Sequence, residues 1–211
     1  MKVLAGLAPI AVLVAALAFA PAAHADIKDL AEGAKKEGEL TWYVAHYTSE
    51  GAEDLGRGFT ETYGVKVNVV RTTAQVAYQR LLQDIKNNQT ICDVFSSTDV
   101  GHYVRLAAEG RFEKYIPETE SKIAPTFRNF DPAGFYHTTS AGLVVLTYNS
   151  TKVKAEEAPK KWQDLLDIKW KGKVSIGHPG FSGYVGTWVL TMKNLYSWSY
   201  FDKLEKNKPQ I

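Results

Sequence analysis

Along residues 39–110 the apolar positions alternate between two spacings. Short dense runs give way to stripes every three or four residues, then return. Glu39-Leu40-Thr41-Trp42-Tyr43-Val44 is rich in aromatic and branched residues and predicts a strand. Before it, residues 26–36 predict an opening helix, with Leu30 and Ala34 four apart and Gly38 just beyond. Ser49 is placed to cap a helix carrying Leu55, Phe59 and Tyr63 on one face, closed by Gly64. Residues 65–70 predict a second strand. Thr73 then caps a helix with Val76, Leu81, Leu82 and Ile85 as its apolar stripe. Residues 91–95 are nearly all apolar, the mark of a third strand covered on both faces. Asp99 caps a further helix with Tyr103, Leu106 and Ala107, ending at Gly110.

Strands and helices in strict alternation imply an α/β fold with a mainly parallel sheet flanked by helices. Open sheets of this kind bind ligands beyond the carboxyl ends of their strands. That rule selects three hydroxyl-rich loops: Ala45-His46-Tyr47 through Ser49, Arg71-Thr72-Thr73, and Ser96-Ser97-Thr98-Asp99. Each leads into a helix N-terminus, where unpaired N–H groups and a partial positive charge suit anions.

From Gly134 the pattern changes. Residues 135–149 predict one long strand, longer than a single lobe needs. A strand crossing between two lobes explains the length, which divides the chain into a first lobe at 26–139 and a second beginning at 140 and running to 211. In the second, residues 162–166 predict a short helix and residues 170–176 a turn and strand. The loop Gly177-His178-Pro179-Gly180-Phe181-Ser182-Gly183 leads to a helix over 184–196. Its glycines permit close backbone approach to a ligand, and Ser182 adds a hydroxyl.

The N-terminus sets the compartment. Lys2, an apolar stretch over residues 3–20 and Ala23-His24-Ala25 have the form of a secretory signal peptide at 1–25, with the mature chain starting at Asp26. Removing Lys2 leaves 24 basic against 23 acidic side chains, interspersed, so bulk charge offers nucleic acid no footing. The lone Cys92 lies in an apolar run and reads as a small hydrophobe, with no intramolecular disulfide possible. Catalytic signatures are missing. Gly180-Phe181-Ser182-Gly183-Tyr184 fails as a nucleophile elbow because Tyr184 replaces the second glycine. Gly56-Arg57-Gly58-Phe59-Thr60-Glu61 fails as a dinucleotide fingerprint. His46, His102, His137 and His178 show no i,i+4 pair. The residues therefore favour recognition over catalysis, with a periplasmic hydrolase or transferase as the alternative.

The chain resembles the extracellular solute-binding proteins of ABC importers, of the type II periplasmic-binding fold. It is most similar there to the ferric-ion, phosphonate and sugar-phosphate binders. The resemblance rests on Gly38-Glu39-Leu40-Thr41-Trp42-Tyr43, Asp93-Val94-Phe95-Ser96-Ser97 and residues 143–149. Most specific are Trp162-Gln163-Asp164-Leu165-Leu166-Asp167 with Lys169-Trp170-Lys171-Gly172-Lys173-Val174. It implies two hinged lobes, a small-molecule or ion ligand in the cleft, a monomer in the periplasm and an ABC permease at the inner membrane as partner. By position it places ligand contacts on Ala45, His46, Tyr47, Ser96, Ser97, Thr98 and the loop from Pro179 through Ser182 and Gly183 to Tyr184. It needs no cofactor; if the ligand is ferric ion, His46 and Tyr47 supply part of its site, but a small anionic solute is the first expectation. Family members continue past Ile211, so the chain is expected to be C-terminally truncated with its second lobe incomplete, and a non-functional fragment is a further alternative.

Overall fold

The computed structural model describes residues 27–128 and 130–211. The signal-peptide expectation over 1–25 and the mature start at Asp26 lie outside the described residues. The first elements follow in order: α1 (Ile27–Glu37), β1 (Glu39–Val44), α2 (Ser49–Tyr63), β2 (Lys66–Arg71), α3 (Ala74–Lys86), β3 (Val94–Ser96) and α4 (Val100–Ala108). The three strands form one parallel sheet in the order β2-β1-β3. Tyr43 lies level with Val70 and Phe95, and these rings and methyls meet α3 and α4. Tyr43, Tyr78, Leu81 and Leu106 form the buried centre of this layer. On the opposite face Trp42 is level with Val69 and Val94. There α2 presses Gly56 so close to Val69 that a Cβ would stand 2.9 Å from its methyl.

Several details differ from the sequence reading, each for a local reason. The N-cap of α2 is Thr48, not Ser49; its Oγ1 accepts from Gly51 N–H at 3.1 Å, and Gly64 closes the helix at φ 73°. The face of α2 against the sheet carries Ala52 and Gly56, while Leu55 and Phe59 are exposed. Small residues let the helix backbone approach the sheet, which the larger stripe would prevent. In α3 the buried set is Ala74, Ala77, Tyr78 and Leu81, and Val76 points outward. Strand β3 spans Val94–Ser96 rather than 91–95, and Val94, like Ile91 before it, is exposed, so this run is not covered on both faces. Cys92 is half-buried; burial pushes its thiol up to about 12, so it is no nucleophile at neutral pH.

The long strand expected over 135–149 is not formed. No ladder pairs these residues, and Leu143 is 88% exposed with Val144, Val145 and Tyr148 also open. A strand exists only with a partner for its N–H and C=O groups, and no described segment supplies one.

The remainder builds a second core. Residues 162–166 and 168–170 are 3-10 turns, followed by α5 (Gly183–Tyr196) and α6 (Ser199–Glu205). Leu165, Trp188, Met192, Tyr200 and Leu204 pack together, with Trp162, Val174 and Phe201 around them. Asn207, 1% exposed, ties the end of α6 to the 3-10 turns: its Nδ2 donates to Leu165 O at 2.8 Å and Asp167 O at 2.9 Å. The strand expected at 170–176 reduces to one parallel bridge, Ser175 to Gln210. The helix α6 had no counterpart in the sequence reading. Among the described residues no helix is long and apolar enough to cross a membrane.

Candidate functional site

A cavity of about 450 Å³ lies between the carboxyl edge of the sheet and α5. Two helix N-termini border it. At the first, Asp99 caps α4 by accepting from Gly101 N–H at 2.9 Å. At the second, Ser182 caps α5, its Oγ accepting from Val185 N–H at 3.5 Å. These termini touch. A Cβ at Gly183 would lie 2.8 Å from both Asp99 N and Thr98 C, and Thr187 Oγ1 donates to Thr98 O at 3.5 Å. Glycine at the first turn of α5 is thus what lets the second core seat on the first.

The expected contacts divide into two groups. His46, Ser97, Thr98 and Tyr184 line this cavity. Ala45, Tyr47, Thr72, Thr73, Ser96, Pro179, Ser182 and Gly183 do not. Tyr47 packs its ring on His46 at 4.1 Å and on Trp42 at 6.0 Å, while its carbonyl accepts from Arg71 Nε. Ser96 turns the other way: its Oγ accepts from Trp42 Nε1 at 2.9 Å, and it borders a separate groove of about 740 Å³ along β3. Thr72 spends its N–H on Val44 O, and Thr73, at the N-cap of α3, makes no cap bond with its hydroxyl. Pro179 is exposed, and Ser182 and Gly183 act from behind the wall by holding α5 in place.

The sequence reading missed much of the lining. Thr187, Trp188, Thr191 and Met192 come from α5, Trp162 from the 3-10 turn, and Phe127, Phe130 and Tyr136 from the loops after α4. Residues 138–142 pass beside Tyr184, with Gly142 directly under its ring. The signal for α5 was present: Tyr184, Thr187 and Thr191 recur at helical spacing and share a face. The loop aromatics carried none, since no periodicity links them.

The lining is mainly apolar and aromatic, with hydroxyl-bearing residues among it, and carries no carboxylate, ammonium or guanidinium group. Ser97, Thr98, Thr139 and Thr187 line the cavity beside aromatic and apolar side chains. His46 Nε2 lies 3.3 Å from the Thr139 hydroxyl, in hydrogen-bond range, and its Nδ1 is buried without a partner. Burial holds its pKa below the ordinary imidazole value, so it is neutral at pH 7. Behind Ser97, Oγ lies 2.8 Å from His102 Nδ1, and His102 Nε2 lies 3.6 Å from Asp99 Oδ2. A hydrolytic triad has the same composition, but it needs free backbone donors beside the serine. Here Ser97 N–H is spent on the Tyr103 hydroxyl. Among the described residues no three His, Cys, Asp or Glu side chains cluster to hold a metal ion.

Residues 89–209 match the model of a family described as bacterial extracellular solute-binding protein, and this stretch includes Ser97, Thr98, α4 and α5. The chain belongs to that family. A Salmonella typhimurium protein described as a "putative 2-aminoethylphosphonate-binding periplasmic protein" is 30% identical over 144 residues, 68% of this chain and 37% of that protein. Among solved structures, the periplasmic binding protein AfuA from Actinobacillus pleuropneumoniae with fructose-6-phosphate bound is 25% identical. It superposes with a TM-score of 0.64 over 81% of this chain and 56% of AfuA. Iron-bound HitA from Pseudomonas aeruginosa, 18% identical with a TM-score of 0.61 over 80% of this chain and 53% of HitA, shares the fold. This solute-binding protein therefore spans about half the length of the solved structures it matches.

Proposed function

We propose that this solute-binding protein captures a small organic anion in the 450 Å³ cavity, as the periplasmic receptor of an ABC importer, and presents it as a monomer to the permease. The observation that carries this reading is the convergence of two helix N-termini on one cavity with no charged lining. Each terminus contributes at most about 2 kcal/mol toward an anion, and micromolar capture needs about 8 kcal/mol. Two termini, several hydroxyls and an aromatic wall against the organic body together reach that range; one loop alone does not. Fructose 6-phosphate and 2-aminoethylphosphonate, the compounds named for the relatives, both have this shape: an anionic head on a small organic body. Ferric ion, the second expectation, finds less support. A hard cation needs anionic oxygen ligands. The cavity offers no carboxylate, and Tyr47, one of the two ligands expected for iron, stands outside it.

A ligand that binds only the folded chain raises its melting temperature by mass action. At a hundredfold excess over Kd the gain is about 2.7 kcal/mol, equivalent to about 5–10 °C for a chain of this size. Fructose 6-phosphate or 2-aminoethylphosphonate is expected to produce such a shift, and ferric citrate none. A shift with ferric citrate alone would reverse the assignment.

A further inference from the structure

We propose that His102 is a positioning residue that decides whether Ser97 donates or accepts a hydrogen bond in the cavity, a reading that rests on the cavity being an anion site. The ring is held rigidly: it is 8% exposed and stacks face to face on Tyr78 at 3.9 Å. Its two nitrogens have different neighbours. Nε2 faces Asp99 Oδ2 at 3.6 Å, and that carboxylate is itself fixed by accepting from Gly101 N–H. Nδ1 meets Ser97 Oγ at 2.8 Å, and Ser97 Oγ also accepts from Asp99 N–H at 3.1 Å.

A neutral ring carries its proton on Nε2, because the other tautomer would set a lone pair against the carboxylate. Nδ1 is then bare, and the single proton of the Ser97 hydroxyl goes to it. Ser97 shows the cavity a lone pair, which repels an anion. When the ring takes up a proton, Nδ1–H donates to Ser97 Oγ, and the hydroxyl proton is released toward the cavity. Ser97 then accepts two hydrogen bonds and donates one to the ligand, so anion capture is linked to uptake of one proton at His102. Burial holds this imidazole's pKa below its ordinary value, with Asp99 opposing that shift. The groups packed on the ring are Asp99 and Ser97 from its own cap, Tyr78 from α3 and Phe95 from β3. Asp99 is the one acidic group among them, and Arg105 interacts with Tyr78.

The test measures fructose 6-phosphate affinity by calorimetry at about pH 8 and about pH 5.5 for the full chain, His102→Gln and Ser97→Ala. Titration of the ligand's phosphate and of His46 is common to all three, so the ratio of affinities isolates the relay. The unsubstituted chain is expected to tighten about tenfold more on acidification than either variant, the worth of one hydrogen bond to a charged group. Equal ratios in all three overturn the proposal. A second readout needs neither a variant nor a ligand. Ring nitrogen NMR of the unsubstituted chain at about pH 8 should show His102 protonated at Nε2 and bare at Nδ1; a neutral ring protonated at Nδ1 overturns the relay whatever the affinities. If neither fructose 6-phosphate nor 2-aminoethylphosphonate binds at any pH, the anion reading fails on its own, and the ring NMR decides the relay.

Discussion

Gly183→Ala is expected to destabilise the chain by about 1–3 kcal/mol and weaken ligand capture at least about tenfold. Two effects compete at this position. Alanine favours a helix over glycine by about 1 kcal/mol, which on propensity alone predicts a gain. Against that, the added methyl would stand 2.8 Å from Asp99 N and from Thr98 C, both backbone atoms that no rotamer change can move. The clash wins because α5 must lift off the 98–99 loop to accommodate it. Lifting α5 also separates the two helix termini that border the cavity, so stability and affinity fall together. Thermal melting and calorimetry on the same variant check both. A variant as stable as the parent, with unchanged affinity, would mean that the contact between α4 and α5 does not shape the site.

Tyr43→Ala should cost about 3–5 kcal/mol, the range for emptying a large aromatic from a packed core. Tyr43 has no exposed surface and sits on the central strand against Tyr78, Leu81 and Leu106. Its hydroxyl donates to Asp84 Oδ2 at 2.7 Å, and the Arg80 guanidinium lies 5.0 Å from the ring centre. Burial and the Asp84 carboxylate push the phenol up to about 12, so it remains a donor throughout the neutral range. Tyr43→Phe keeps the ring and loses only that hydrogen bond, about 1 kcal/mol. Domains have only about 5–15 kcal/mol in total, so the alanine variant removes a large share. Denaturant melts should rank the parent first, phenylalanine slightly below and alanine far below; a small alanine penalty would contradict the assigned core.

The first half of the fold was legible because its signals are local. Strand β1, the closing Gly64 and the Asp99 cap are each written within a few residues, and the structure places them within a residue or so of the expected positions. Which face a helix buries is not local. The stripe of Leu55, Phe59 and Tyr63 marked α2 as a helix, yet the face against the sheet is set by how close Ala52 and Gly56 allow the backbones to come. Residues 135–149 failed for a related reason: branched composition signals strand propensity, but a ladder needs a partner, and composition says nothing about one. In the site only His46, Ser97, Thr98 and Tyr184 of the expected contacts line the cavity, and the 96–99 loop shows why. The sheet-end rule found the 96–99 loop, but the strand's alternation sends Ser96 to Trp42 and leaves Ser97 facing the cavity. The Ser97, His102 and Asp99 relay was invisible as a motif, since spacings of two and three become neighbours only when a helix starts between them.

The most direct measurement is a titration of isotope-labelled protein with fructose 6-phosphate, following every backbone amide by NMR. If both helix starts grip one anionic group, the amides of Thr98, Val100 and Tyr184 should move together with a single saturation curve. Saturable binding that perturbs only one of the two helix starts, or neither, would show that they do not act as one receptor.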